Sequence, residues 1–124
     1  MILNLTQHGA TTEQLAAGVV DLPVAEKAML VRLLTVDDLP NKREIEVRCH
    51  DIAMLGATAF EQHPTRAMIG GAPWMMSALE DALINQGIEP VYAFSRRVSE
   101  EVTQPDGAVI KSNIFKHIGF IFVV

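Results

Sequence analysis

Apolar and polar positions change their period several times along this chain, and each change marks an element. An apolar run at residues 2–5 reads as a strand with a polar exit through Thr6, Gln7 and His8. Thr11 and Gln14 have the spacing of a capping box, so a short helix starts there and ends near Gly18. Residues 19–22 form a second short strand stopped by Pro23, and residues 25–34 a helix with Ala28, Leu30, Val31 and Leu34 on its apolar side. In the longest helix, residues 42–62, Ile45, Cys49, Ile52, Ala53, Leu55, Gly56, Ala59 and Phe60 recur at three- and four-residue spacing, as a buried stripe requires. A third strand at residues 67–69 runs through glycines into a helix over residues 73–86. Pro73 suits its first position, Gly87 supplies its stop, and Met75, Met76, Leu79, Leu83 and Ile84 are its core positions.

Residues 91–94 read as a fourth strand. The run is almost continuously apolar, as expected where both faces are covered, and it exits into Ser95, Arg96 and Arg97. Residues 98–103 loosely alternate, Pro105, Asp106 and Gly107 make a turn, and residues 108–115 return, which predicts an antiparallel hairpin. Residues 118–124 are expected to close as another strand. The order of elements predicts a single α/β domain over residues 1–124. Its core is a three-layer, Rossmann-like, mostly parallel sheet of order 2-1-3-4, followed by the antiparallel hairpin. In that order the first and third strands flank a topological switch point, where ligands bind at the carboxyl ends of strands.

Composition narrows the picture. The 124 residues are one domain's worth, and an apolar fraction of 49% suffices for one sizeable core. The charged fraction of 20% is slightly low, and the end of the chain is strongly apolar. Both features point to apolar surface covered by a second copy, so a homodimer is expected. A net charge of −5 argues against duplex DNA as a partner, which needs a broad basic face. The acidity lies in the N-terminal part: from Arg96 onward, Arg96, Arg97, Lys111 and Lys116 stand against Glu100, Glu101 and Asp106. The single cysteine, Cys49, excludes an internal disulfide and a cysteine-based zinc site, and reads as a core residue. His50 and His63 have no partner at metal-ligand spacing, so no metal is expected, and no cofactor motif is present. Neither a signal peptide nor a bilayer-length apolar segment is visible, so no membrane association is expected and the cytoplasm is the expected location.

Three strand ends carry the candidate chemistry. Gly70, Gly71 and Ala72 precede a helix, and glycine lets a phosphate or carboxylate approach the backbone. The pattern is neither a Walker loop nor a dinucleotide fingerprint, and a tight turn that binds nothing is the competing reading. Trp74, next in line, suits a core or interface position better than base stacking. His8, just past the first strand, is a candidate general acid, with Thr6 and Gln7 as hydrogen-bonding neighbours; an ordinary surface histidine is the alternative. Ser95, Arg96 and Arg97 offer guanidinium forks for an anion, with Arg96 the favoured one, against the alternative of a solvated turn or of salt bridges to Glu100 and Glu101. Lys111 and Asn113 share one strand face and, with Lys116 and His117, form a polar set on the hairpin.

The segment Leu3-Asn4-Leu5-Thr6-Gln7-His8, followed by Ala10-Thr11-Thr12-Glu13-Gln14, resembles the N-terminus of small CRISPR-associated proteins. These are Rossmann-like relatives of the CARF domain, tied to cyclic oligoadenylate signalling, and some related small proteins are ring nucleases. The resemblance implies a homodimer with a nucleotide or cyclic oligonucleotide across its two-fold. It also implies a metal-free reaction, in which a ribose 2′-OH attacks the adjacent phosphate. The backbone near Gly71, with Arg96, would hold that phosphate, and His8 would serve as the acid. Two readings follow: a CARF-like binder of a small phosphorylated ligand, with or without cleavage, or a non-catalytic interaction protein of a mobile element or defence locus that works through its apolar C-terminal surface.

Overall fold

The computed structural model describes residues 1–124. The elements run in the order β1 (Ile2–Asn4), α1 (Thr12–Ala16), β2 (Val19–Asp21), α2 (Val24–Leu34), α3 (Lys42–Thr58), β3 (Arg66–Met68), α4 (Pro73–Asn85), β4 (Glu89–Thr103) and β5 (Val109–Phe122). They build an α/β fold around a mixed five-stranded sheet of order β2-β1-β3-β4-β5. The first four strands are parallel, and β5 returns antiparallel to β4.

Local chemistry accounts for the helix ends. The Thr11 hydroxyl accepts from the Gln14 amide while Gln14 Oε1 accepts from the Thr11 amide, closing the expected capping box of α1. Asn41 caps α3 by accepting from Glu44 N at 2.8 Å. Arg48, paired with Glu44 one turn earlier, donates to the carbonyls of Arg32, Leu33 and Thr35, and so stitches α3 to the end of α2. The His63 ring meets the Gln86 carbonyl at 2.9 Å, an exposed contact at the end of α4.

Because side chains alternate across strands, the sheet separates two apolar clusters. Leu3, Ala67 and partly buried Tyr92 face one side, where they pack with Leu30, Cys49, Ile52, Ala53, Met75, Leu79 and Leu83 of α2, α3 and α4. Ile2, Val19, Met68 and Val91 face the other, joined by Ala10 and Phe120. That second layer is thin, since α1 has five residues and buries none. The approach of α3 to β1 is close: a Cβ on Gly56 would lie 3.3 Å from Leu5 Cδ1. Among the expected core positions, Ile84 and Ala28 turn out exposed.

One correction concerns the end of the chain. β4 does not stop at Phe94; it continues to Thr103, and β5 pairs with it from Val109 to Phe122. Residues 118–124 are therefore not a separate strand, since Ile121 and Phe122 are paired with Tyr92 and Val91. The register shifts once, between Phe94 and Ser95, where β5 carries Ile118 as an extra residue. The pairing partner, not the polarity of the side chains, decides where a strand ends, and β5 supplies ladder partners well past the last covered position.

Candidate functional site

The carboxyl ends of β1 and β3 open onto a cleft of about 540 Å³. Its walls are Thr6, Gln7, His8 and Gly9 after β1, Thr11 and Gln14 of the α1 cap, Met68 at the end of β3, and Gly70, Gly71 and Ala72 beyond it, with Leu34 and Ala93 completing it. This is the switch point of the sheet, where β1 sends one connection to β2 on its left while β3 lies on its right.

The floor is held by a side chain with no surface exposure. Asn4 is fully buried on β1, and it spends its amide on the loop that follows. Its Nδ2 donates to the His8 carbonyl and to Asp21 Oδ1, both at 2.8 Å. Its Oδ1 accepts from the Thr6 amide at 3.0 Å and from the Thr6 hydroxyl at 2.7 Å. Asp21 Oδ1 also accepts from Ala10 N. From α2, Lys27 Nζ donates to the carbonyls of Thr6 and His8. The β1–α1 loop is thus fixed by its backbone, which leaves the side chains of Gln7 and His8 exposed at the cleft.

The opposite wall is built from unclaimed donors. Gly71 has φ +149°, a conformation that side chains with a Cβ rarely adopt, and Ala72 caps α4 without any side-chain hydrogen bond. Pro73 has no N–H to offer. The amides of Gly70, Gly71, Ala72 and Trp74 meet no backbone or side-chain acceptor in the chain, while Met75 N turns back onto the Ala72 carbonyl at 3.0 Å. These groups stand at the positive end of the α4 dipole. A Cβ on Gly70 would reach only Thr6 Cγ2, at 3.7 Å.

The structure therefore brings together Thr6, Gln7, His8, Gly70, Gly71 and Ala72. It does not bring Ser95, Arg96, Arg97, Lys111 or Asn113 to the same cleft. All five lie on the β4–β5 ribbon, because β4 runs straight through Ser95, Arg96 and Arg97. Arg96 pairs in register with Lys116, and the Arg97 guanidinium stands over the Phe115 ring at 5.4 Å. Neither arginine forms the alternative ion pair with Glu100 or Glu101, since the salt bridges of the chain are Lys42–Glu46, Arg48–Glu44 and Arg66–Glu89. Lys111 and Asn113 do share a strand face, opposite Glu101 and Ser99. His117 sits against Phe120, its Nδ1 buried without a partner.

Sequence reasoning passed over Asn4, Asp21 and Lys27, the residues that shape the loop. Asn4 carried a readable signal: a polar amide between two leucines, in an element type that disfavours it. Lys27 carried none, because its targets are carbonyls across the fold. Elsewhere, Cys49 lies in the core, its thiol pushed up to about 11 by burial. Trp74 is half exposed, lining a shallower groove between α3 and α4 with His50, Glu46 and Asp81. No three of the chain's His, Cys, Asp and Glu side chains are grouped to hold a metal ion, and no helix is long and apolar enough to cross a membrane.

The family model described as the uncharacterized protein MJ1673 family matches residues 1–121. The chain belongs to the MJ1673 family. The matched residues include those of the cleft and nearly all of the β4–β5 ribbon. No curated protein and no solved structure matches the chain.

Proposed function

We propose that this chain is a Rossmann-like, CARF-like binding protein for a small phosphorylated ligand of the nucleotide class, held in the cleft at the ends of β1 and β3. The observation that carries the reading is the set of unclaimed amides at Gly70, Gly71 and Ala72, which line an open cleft at the positive end of the α4 dipole, opposite a pinned polar loop. Backbone donors suit a phosphate without requiring a cationic side chain, which agrees with a lining whose one ionisable side chain is His8. Leu34, Met68 and Ala93 add the apolar surface that a base or sugar face covers.

Binding is better supported than cleavage. Metal-free cleavage of a cyclic oligoadenylate needs charge stabilisation at the scissile phosphate beyond orientation of the 2′-OH. Arg96, the group expected to supply it, lies on the ribbon, which leaves His8 alone as an acid at the cleft. The second reading, an interaction protein working through its C-terminal surface, draws on the exposed apolar residues of that ribbon, among them Phe115 and Ile110. It is compatible with a ligand in the cleft.

Thermal melting in the presence of ATP, cyclic tetra-adenylate, cyclic hexa-adenylate and inorganic phosphate tests the proposal. A ligand that prefers the folded state raises Tm, by an amount that grows with its concentration. The expected result is a rise with at least one nucleotide, abolished by Gly70→Ala, which fills the approach to the backbone while making only an ordinary contact with Thr6. Flat melting curves with all four compounds at millimolar concentration would overturn the binding reading. Chromatography of the cyclic substrates after incubation separates binding from cleavage: intact rings are expected.

A further inference from the structure

Residues 93–119 form a two-stranded arm in which no residue is fully buried. We propose that this arm is a self-complementary docking surface, and that its occupant is the same arm of a second copy, packed face to face and antiparallel about a two-fold axis at Val98.

The sheet faces follow from alternation. Tyr92 belongs to the helix-bearing side, where its hydroxyl donates to Glu80 of α4 at 2.5 Å. Counting outward by two along β4, that same face carries Phe94, Arg96, Val98, Glu100 and Val102. The pattern is apolar, positive, apolar, negative, apolar, and it is centred on Val98. A two-fold rotation through that centre exchanges Phe94 with Val102 and Arg96 with Glu100. Along β4, Arg96 of one copy then meets Glu100 of the other, and each apolar side chain meets an apolar one. β5 adds Ile114 beside Val98 and Ile110 beside Val102, in register on the same face. Lys116 beside Arg96 joins the cationic row, and the residue beside Glu100 is the neutral Ser112.

Two observations make the surface available. Phe94, Val102, Ile110 and Ile114 are between 37% and 52% exposed, which is costly in water and unusual for a ribbon with no third strand or layer. Arg96 and Glu100 form no ion pair within their own chain, although each is long enough to reach a neighbour. An isologous contact of this kind closes as a dimer and does not propagate into a fibre.

Sedimentation velocity across micromolar concentrations, on the full chain, tests it with a charge-swap series. The wild type is expected to be a dimer. Arg96→Glu and Glu100→Arg each replace two attractive pairs by two repulsive ones, and each should weaken dimerisation by about tenfold or more. Combining both substitutions rebuilds the pattern with its signs inverted and should restore the dimer. All three variants should melt as the wild-type body does when compared as monomers at low concentration, because both side chains are exposed and unpaired. A chain that stays monomeric through the high micromolar range overturns the proposal. So does a dimer indifferent to the single reversals, as pairing along the β5 edge would give, or a double variant that stays weak. The outcome is independent of ligand binding in the cleft.

Discussion

β4 passes through two environments, and the contrast between them organises the molecule. At its root, Pro90 and Val91 are fully buried between β3, β5 and the layers on either side. Beyond Tyr92 the strand carries similar side chains, Phe94, Val98 and Val102, with β5 as its one neighbour and water on both faces. Composition does not separate the two halves; what covers them does. The body has layers that pay for chain ordering by burial, whereas a lone two-stranded ribbon is marginal in water. An arm that nevertheless holds regular pairing to Thr103 is therefore the part of the molecule whose stability should depend on what docks against it.

The sharpest way to break this contrast is to remove a large apolar side chain from each part. Leu79 on α4 has no exposure, so Leu79→Ala should leave a cavity and destabilise the body by about 2–5 kcal/mol, read as a lower urea midpoint. Val102→Ala, on the arm, should shift the same midpoint by no more than about 0.5 kcal/mol, while loosening self-association. If both substitutions cost the same at low protein concentration, where copies are separate, the arm is part of the cooperative core and the contrast fails.

A finer comparison sets two adjacent glycines of the body against each other. Gly71 sits at φ +149°, so Gly71→Ala should cost about 1–3 kcal/mol through backbone strain, even though its Cβ would have room beside Met76. Gly70 has no such conformation, and Gly70→Ala should leave the urea midpoint nearly unchanged. The two variants therefore divide stability from site chemistry: strain for the first, obstruction of the cleft for the second. Equal stabilities would show that the turn relaxes freely and that its donors are not fixed.

Sequence pattern made the body legible because its elements announce themselves locally. The Thr11–Gln14 cap, Pro73 and Gly87 at the ends of α4, and the stripe through Cys49, Ile52, Ala53 and Gly56 are each set within a few residues, and each stands where it was expected. The cleft was partly legible for the same reason: polar exits and glycines after short strands place Thr6, His8 and Gly71 at one rim. The ribbon was not. Whether Arg96 ends a strand or continues it depends on Lys116, twenty positions away in the chain, and no local rule contains that pairing. The buried Asn4 network was hidden likewise, since its partners Asp21 and Lys27 come from two other elements.

The last comparison is the alkaline response of the body. Two acids there are held in their protonated forms. Cys49 is raised from the usual 9.0 to about 11 by burial, and Tyr92 is raised by burial, and further by its hydrogen bond to Glu80 and that carboxylate's charge. In both cases the folded state keeps a proton that the unfolded chain gives up first. Their stabilising contribution is complete below the unfolded values, and it is lost as pH climbs toward the folded ones. The urea midpoint should therefore fall from pH 9 upward, with Cys49 responsible first and Tyr92 joining above about pH 10. Cys49→Ala should flatten the slope between pH 9 and 10. Tyr92→Phe removes the O–H bond to Glu80, costs about 1 kcal/mol at neutral pH, and should flatten the slope above pH 10. Neither group lies on the arm, so wild-type curves taken at dilutions that separate the copies and at concentrations that join them should share the same alkaline slope. A slope that changes with protein concentration would mean that the body and the arm unfold as one unit.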